Sequence, residues 1–152
     1  MTRFFSAVAL AALGLATISG CSISVDGDEK DSVTRQFGND YVGIGGMVNL
    51  TDPVAGDAFL AAGQVAIASE VQGDLVVAGG EVSIGGGVGD DLYAAGGNVQ
   101  LDAMVTGNAR IAGGDVQVGP ATVIAGAVSL TGGRITFDGN SHGYLQASGA
   151  SV

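Results

Sequence analysis

The sequence predicts an all-β fold: a single-stranded, right-handed β-helix (solenoid) of about six 17-residue coils, each with three short strands around a triangular apolar core. Three observations predict it. Apolar residues make up 47% of the chain although aromatics are only 5%, and glycine occurs 28 times, well above its usual share of about 7%. Apolar residues recur two apart, which places them on one face of a strand. The pattern returns every 17 residues, which is typical of a repeat architecture.

Residues 1–20 indicate an export signal and not a part of the fold. Arg3 supplies a positive start, and the apolar run from Phe4 to Thr17 is too short to span a bilayer comfortably. The segment leads into the sequence ISGC, residues 18–21, which resembles the lipobox of bacterial lipoprotein signals. The resemblance implies that Cys21 is lipidated and anchors an exported chain to a membrane. An Asp after the cysteine would resemble the inner-membrane retention signal of such lipoproteins. Ser22 stands there instead, so the resemblance favours the outer membrane or its periplasmic face.

Residues 21–38 comprise this cysteine and a polar stretch that is rich in acidic residues between Asp26 and Asp31. Such a composition cannot bury enough apolar surface to order a chain. We therefore predict a flexible tether between the anchor and the folded body.

The repeat domain, residues 39–152, can be written in rows that begin at 39, 56, 73, 90, 107, 126 and 143, the last of them partial. Every complete row has 17 residues except the row from Gly107, which has 19 because of two extra residues near Pro120. We number the places in each row from 1. Place 8 holds glycine, usually preceded by another, and place 10 holds a β-branched residue in every row: Val48, Val65, Val82, Val99, Val116, Ile135 and Val152. Apolar residues also recur at places 3, 5, 12 and 16.

Each row is interpreted as one coil. Glycine pairs between the apolar segments would supply the φ values that corners need. One coil cannot bury its own apolar face, but stacked coils build a continuous core. Successive coils would pair in parallel about 4.8 Å apart, and the crossover preference favours a right-handed path.

At this point two rows, GDLVVAGGEVSIGGGV (73–88) and DDLYAAGGNVQLDAMV (90–105), resemble the bactofilins and related polymer-forming cytoskeletal proteins. The resemblance implies a β-helical domain that assembles end to end into filaments without nucleotide. Typical members are cytoplasmic, whereas this chain carries an export signal. The expectation is therefore a relative that faces the cell envelope.

The charges and the scarcity of reactive groups exclude several functions. With 15 acidic against 5 basic residues, the net charge of −10 disfavours binding to nucleic acid. His142 is the single histidine, with no acid or oxyanion pocket indicated beside it. No phosphate-binding loop is present, so we expect no enzyme, no cofactor and no small-molecule substrate.

Place 2 of successive rows carries Asp40, Asp57, Asp74 and Asp91, then Asn108. Stacking would place like charges about 4.8 Å apart, a repulsion of about 1 kcal/mol per neighbour even in water. A Ca²⁺ ion would relieve it, so the column is a candidate cation ladder. The alternative is that each Asp bonds backbone at a turn, and we favour that interpretation.

No strong cap is indicated at either end of the stack, and Val152 falls on a core column. Either the last coil pairs with another molecule or further coils follow it. We therefore expect a non-catalytic structural protein of the cell envelope that associates end to end through unpaired strands. The alternative is a surface adhesin or binding module that Ca²⁺ would stabilise, and Phe59, Tyr93 and Tyr144 would supply its outward aromatics.

Overall fold

The structure is a computed structural model that describes residues 32–152. The predicted signal, Cys21 and most of the tether lie outside these residues. The described part is a β-solenoid of about 7 turns, all-β and without helix, whose coils stack about 17 residues apart. Among residues 32–152 no helix is long and apolar enough to cross a membrane.

The strands follow the rows closely. In chain order they are β1 (Val33–Phe37), β2 (Asp40–Leu50), β3 (Ala58–Ile67), β4 (Leu75–Ile84), β5 (Leu92–Leu101), β6 (Met104–Val105), β7 (Ala109–Val118), β8 (Val123–Ile124), β9 (Val128–Phe137), β10 (Asn140–Ser141) and β11 (Leu145–Ser151). The long strands form one sheet in the order β1-β2-β3-β4-β5-β7-β9-β11, and β10, β8 and β6 form a second. Single parallel bridges continue the second sheet through Val54, Val71, Val88 and Val105.

The register confirms the predicted rows. Ala58 pairs with Leu75 and Leu75 with Leu92, each a step of one 17-residue row. Across the long row Ala109 pairs with Val128, and the step returns to the shorter value when Val128 pairs with Leu145. The extra residues lie between β7 and β8. There the buried Thr122 donates its hydroxyl to the Leu101 carbonyl at 2.9 Å.

The first two predicted strands of each coil are joined into one long strand that turns its corner internally. In β3 the buried places are Ala58 and Leu60, then Val65 and Ile67. A straight strand would keep burying every second residue, so this change of phase marks a corner at Gly63. The third side is the short segment around place 16. The core is formed by columns at places 3, 5, 10, 12 and 16, and its largest fully buried side chains are Leu50, Leu75, Ile84, Leu92, Leu101, Ile124 and Leu130.

The glycines at these corners have a different role from the predicted one. Among the described residues, Gly38 is the single position with a positive φ, 63°. The place-8 glycines are needed because the coils approach closely there. A Cβ on Gly80 would lie 2.9 Å from the carbonyl oxygen of Gly63, and one on Gly97 would lie 2.9 Å from that of Gly80. The prediction that corner geometry requires these glycines is therefore wrong, and backbone contact between coils is the reason for them.

The tether prediction is wrong for residues 33–37, which form β1. This strand pairs antiparallel with the start of β2, from Val33 opposite Ile44 to Phe37 opposite Asp40, across a turn at Gly38. The free edge of the first coil offers backbone groups that an adjacent segment can pair. β1 thus covers the first half of the outer edge of β2, and its pairing does not extend over the second half, from Met47 to Leu50.

Candidate functional site

The aspartate column forms a regular hydrogen-bonded ladder. The backbone N–H of each place-2 residue donates to the side-chain oxygen Oδ1 of the place-2 residue one coil earlier. The donor and acceptor pairs are Asp57 to Asp40 (3.0 Å), Asp74 to Asp57 (2.9 Å), Asp91 to Asp74 (2.9 Å), Asn108 to Asp91 (2.7 Å) and Ala127 to Asn108 (2.9 Å). The structure therefore brings together all four predicted ladder residues and adds Asn108 to them.

The ladder satisfies the backbone at the start of each coil. A backbone donor to a carboxylate is a charge-assisted bond, stronger than a neutral one. The Gly-Asp sequence fits this geometry because a Cβ on Gly56 or Gly73 would meet the Oδ1 atom of Asp40 or Asp57, respectively. Asn108 shows that the bond does not need a charge, since its amide oxygen accepts from Ala127 in the same way.

The described residues contain no group of three or more His, Cys, Asp or Glu side chains placed to hold a metal ion. Each ladder carboxylate uses Oδ1 as an acceptor for the next coil. Calcium binding by Asp40, Asp57, Asp74 and Asp91 thus stays a prediction, and the hydrogen bonds give the column a structural role that requires no ion.

A second feature, which we call the apolar face, is the outer surface of the first half of the long strands. It consists of the outward side chains at places 4 and 6. Place 4 holds Val42, Phe59, Val76, Tyr93, Arg110 and Ser129, and place 6 holds Ile44, Ala61, Ala78, Ala95, Ala112 and Thr131. Ile44 is 58% exposed, Phe59 44% and Val76 36%. Large contiguous apolar patches on the surface of soluble proteins often mark interaction sites.

Tyr93 and Arg110 form the polar end of this face. The Arg110 guanidinium lies 5.6 Å from the centre of the Tyr93 ring and donates to its hydroxyl at 3.3 Å. The Tyr93 hydroxyl in turn lies 3.5 Å from Oδ2 of Asp91 in the ladder. Arg110 is therefore held along the sheet surface by a cation–π contact and a hydrogen bond.

The polar face comprises the outward side chains at places 9 and 11 and differs sharply from the apolar face. Gln64 donates to Glu81 at 3.1 Å, and Arg134 pairs with Asp115 at 3.2 Å. Glu81, Asn98, Gln100, Asp115, Gln117 and Arg134 line a shallow, open depression on this side. With both members of the ion pair substantially exposed, the pair contributes at most about 1 kcal/mol.

The structure places His142, the single histidine of the sequence, next to Ser141 at the end of the last complete coil. Ser141 donates its hydroxyl to the Gly143 carbonyl at 3.3 Å and not to His142. His142 is exposed on the third side, where its backbone N–H donates to Ile124.

The outermost strands present the remaining exposed apolar groups. At the N-terminal side Phe37 is 52% and Met47 51% exposed; on the last coil Tyr144 is 73%, Leu145 45% and Val152 74% exposed. Leu145 occupies place 3, the column in which Leu75 and Leu92 are fully buried. Its exposure follows from having no further coil against it in this structure.

Sequence reasoning identified Phe59 and Tyr93 as outward aromatics but did not find the continuous face to which they belong. The sequence signal was the apolar residues at places 4 and 6. Once places 3 and 5 are assigned to the core, these residues must point outward. Cys21, the predicted lipidation site, lies outside the described residues.

No family model, no curated protein and no solved structure matches this chain. The likeness to bactofilins therefore depends on the repeat pattern of rows such as 73–88 and 90–105.

Proposed function

We propose that this chain is a non-catalytic structural protein of the cell envelope, a bactofilin-like lipoprotein whose coils associate end to end into a polymer or scaffold. The observation that carries the proposal is the outer edge of β11. That strand pairs with β9 on one side, and Leu145, a core-column residue, is 45% exposed at its start.

The direction of the backbone groups supports association at this edge. Val128, at place 3, donates its N–H to Tyr144 of the following coil at 2.9 Å. Leu145 is the next place-3 residue, so its N–H points away from β9, as do the backbone groups of Ala147. An incoming parallel or antiparallel strand would pair with these groups and cover the exposed core column.

End-to-end association is tested with the full chain, expressed in a bacterial host and purified as that host processes it. Electron microscopy and sedimentation should show filaments or oligomers. Leu145→Lys places a charge in the contact and should abolish them. The matched control, Ser151→Lys, adds the same charge to β11 at an exposed position on the other outward side of the coil and should leave assembly intact. A monodisperse monomer at high concentration for the unsubstituted chain would refute the proposal.

The membrane anchor is tested separately. Labelled fatty acid should be incorporated into the chain and lost with Cys21→Ser, while Ser22→Ala retains it. A chain that takes up no label and is released in soluble form would exclude the lipoprotein assignment without affecting the assembly proposal.

A surface adhesin or binding module is the second candidate, favoured by the exposed Phe59 and Val76 and the half-buried Tyr93 on the apolar face. Under that function the Leu145→Lys variant would remain fully active in cell-surface or matrix binding, whereas charges on the apolar face would abolish it.

A further inference from the structure

On the apolar face, a ridge of bulky side chains runs beside a groove formed by small ones. In the four middle coils the ridge is Phe59, Val76, Tyr93 and Arg110 at place 4, and the groove is Ala61, Ala78, Ala95 and Ala112 at place 6. All four alanines are exposed. Since consecutive coils are in register, each bulky residue stands level with the alanine of its own coil.

A face of this kind is complementary to itself under one particular symmetry. A two-fold axis parallel to the solenoid axis, placed between the two columns, sets place 4 of one copy opposite place 6 of the other at the same level. Phe59 then faces Ala61, Val76 faces Ala78, and Tyr93 faces Ala95. Large residues opposite small ones let two layers interdigitate at the sheet separation of about 10 Å. An axis perpendicular to the solenoid would instead set ridge against ridge.

The charges favour this face over the others for contact between two copies. Neither place 4 nor place 6 carries an acidic residue in any coil, in a chain with a net charge of −10. Under the same symmetry the polar face would set Glu81 opposite Ser83 and Asp115 opposite Gln117, so the carboxylates of both copies would enter one contact. Arg110 would face Ala112, and it is held down along Tyr93 by the 3.3 Å hydrogen bond.

The area of the face determines when such pairing is stable. Four residue steps by six coils give a patch of roughly 13 by 29 Å, so that about 750 Å² is buried in total between two copies. Specific stable complexes bury about 1,200 Å² or more. One pair of chains is thus too small to be stable alone, whereas two stacked copies on each side would exceed that threshold.

We propose that the apolar face pairs two stacks of this chain laterally, in parallel, with the ridge of one copy in the alanine groove of a second copy. The stable form of this pairing rests on the proposed end-to-end association, because stacking is what enlarges the contact.

The first test compares filaments of the unsubstituted chain with those of Ala78→Lys/Ala95→Lys by electron microscopy. The unsubstituted chain should form paired filaments, and the variant should form single ones of half the width. The matched control, Ala66→Lys/Ser83→Lys, adds two charges at exposed positions of β3 and β4 on the polar face and should keep the pairing. Single filaments from the unsubstituted chain, or paired filaments from Ala78→Lys/Ala95→Lys, would overturn the proposal.

A second measurement does not require filaments. Two differently tagged full chains, one Val76→Cys and one Ala78→Cys, are mixed in membranes and treated with a short bismaleimide. Cross-linked heterodimers are expected, and adding Ala95→Lys to both chains should remove them. A yield no higher than that of an Ala66→Cys and Ser83→Cys mixture would contradict lateral pairing. Cross-linking without filaments would reject end-to-end association alone, while single filaments without cross-linking would reject lateral pairing alone.

Discussion

Two adjacent glycines, Gly85 and Gly86, should respond in opposite directions to substitution by alanine. They follow β4 directly, and both have a φ that L-residues adopt, since Gly38 is the one described residue with positive φ. Their surroundings differ. A Cβ on Gly85 has the Ile67 carbonyl oxygen as its nearest neighbour at 3.7 Å, an ordinary contact, whereas a Cβ on Gly86 would overlap the Ser69 carbonyl group of the preceding coil.

The magnitudes follow from these contacts. Gly85→Ala restricts the unfolded chain without strain and should stabilise by about 0.4–1 kcal/mol. Gly86→Ala forces two coil backbones apart, because the neighbouring atoms belong to a main chain and cannot rotate away. Overpacking of this kind costs about 1–3 kcal/mol or more, and we expect at least about 2 kcal/mol.

Thermal unfolding of the two variants, followed by circular dichroism at 218 nm or a similar strand wavelength, measures the difference. At about 4 °C per kcal/mol for a domain of this size, Tm should rise by about 2–4 °C for Gly85→Ala and fall by about 8 °C for Gly86→Ala. If the glycines served turn conformation, as the sequence suggested, both variants would lose stability. Equal losses would therefore refute the steric explanation.

Three further changes test the core, the ladder and the insertion by denaturant unfolding. Leu92→Ala, at a fully buried position, should lower the free energy of unfolding by about 2–5 kcal/mol. Val76→Ala, at a side chain 36% exposed, should lower it by less than about 1 kcal/mol. Similar losses for the two variants would contradict the assigned inward and outward places. Asp74→Ala removes the acceptor for the Asp91 N–H and should cost about 1–2 kcal/mol. Asp74→Asn should cost less than half of the loss for Asp74→Ala. Added Ca²⁺ should leave the Tm of the unsubstituted chain unchanged. A rise in Tm with Ca²⁺ that Asp74→Ala abolishes would instead support the cation ladder. Thr122→Val loses one hydrogen bond to a Leu101 carbonyl that keeps the Gly119 N–H, so a loss near 1 kcal/mol is expected, and one above about 3 kcal/mol would show that this hydroxyl has a larger role.

The row pattern allowed most of the fold to be predicted because every coil has the same inward and outward places. Val65, Val82 and Val99 occupy the same place in successive rows. In the structure they stack directly above one another in one buried column. The displaced register of the long row was equally visible, since its two extra residues shift every later position. The ladder was visible in the sequence as a column of Asp residues. The spacing left two interpretations open, cation binding and hydrogen bonding to the backbone, and the structure shows the hydrogen bonds.

The strand β1 was not predicted because it is held by the adjacent edge of β2 and not by burial of its own side chains. Residues 33–37 bury little of their own surface; only Val33 is half-buried. Their pairing depends on the unpaired edge of β2, which exists only once the first coil has formed. A β-branched and aromatic stretch before the Gly38-Asn39 turn was the signal for a hairpin, and the acidic segment before it outweighed that signal.

Apolar residues that recur at fixed spacing in the sequence were enough to predict the coil length, the inward columns and the stacking order of the coils. The reason for the glycine positions became visible in the folded structure, because Gly80 and Gly86 are constrained by carbonyl groups one full coil earlier in the chain. It also decided what the outward residues form. Phe59, Val76 and Tyr93 are 17 residues apart along the chain, and they become one ridge because parallel pairing brings each coil to within about 4.8 Å of the next.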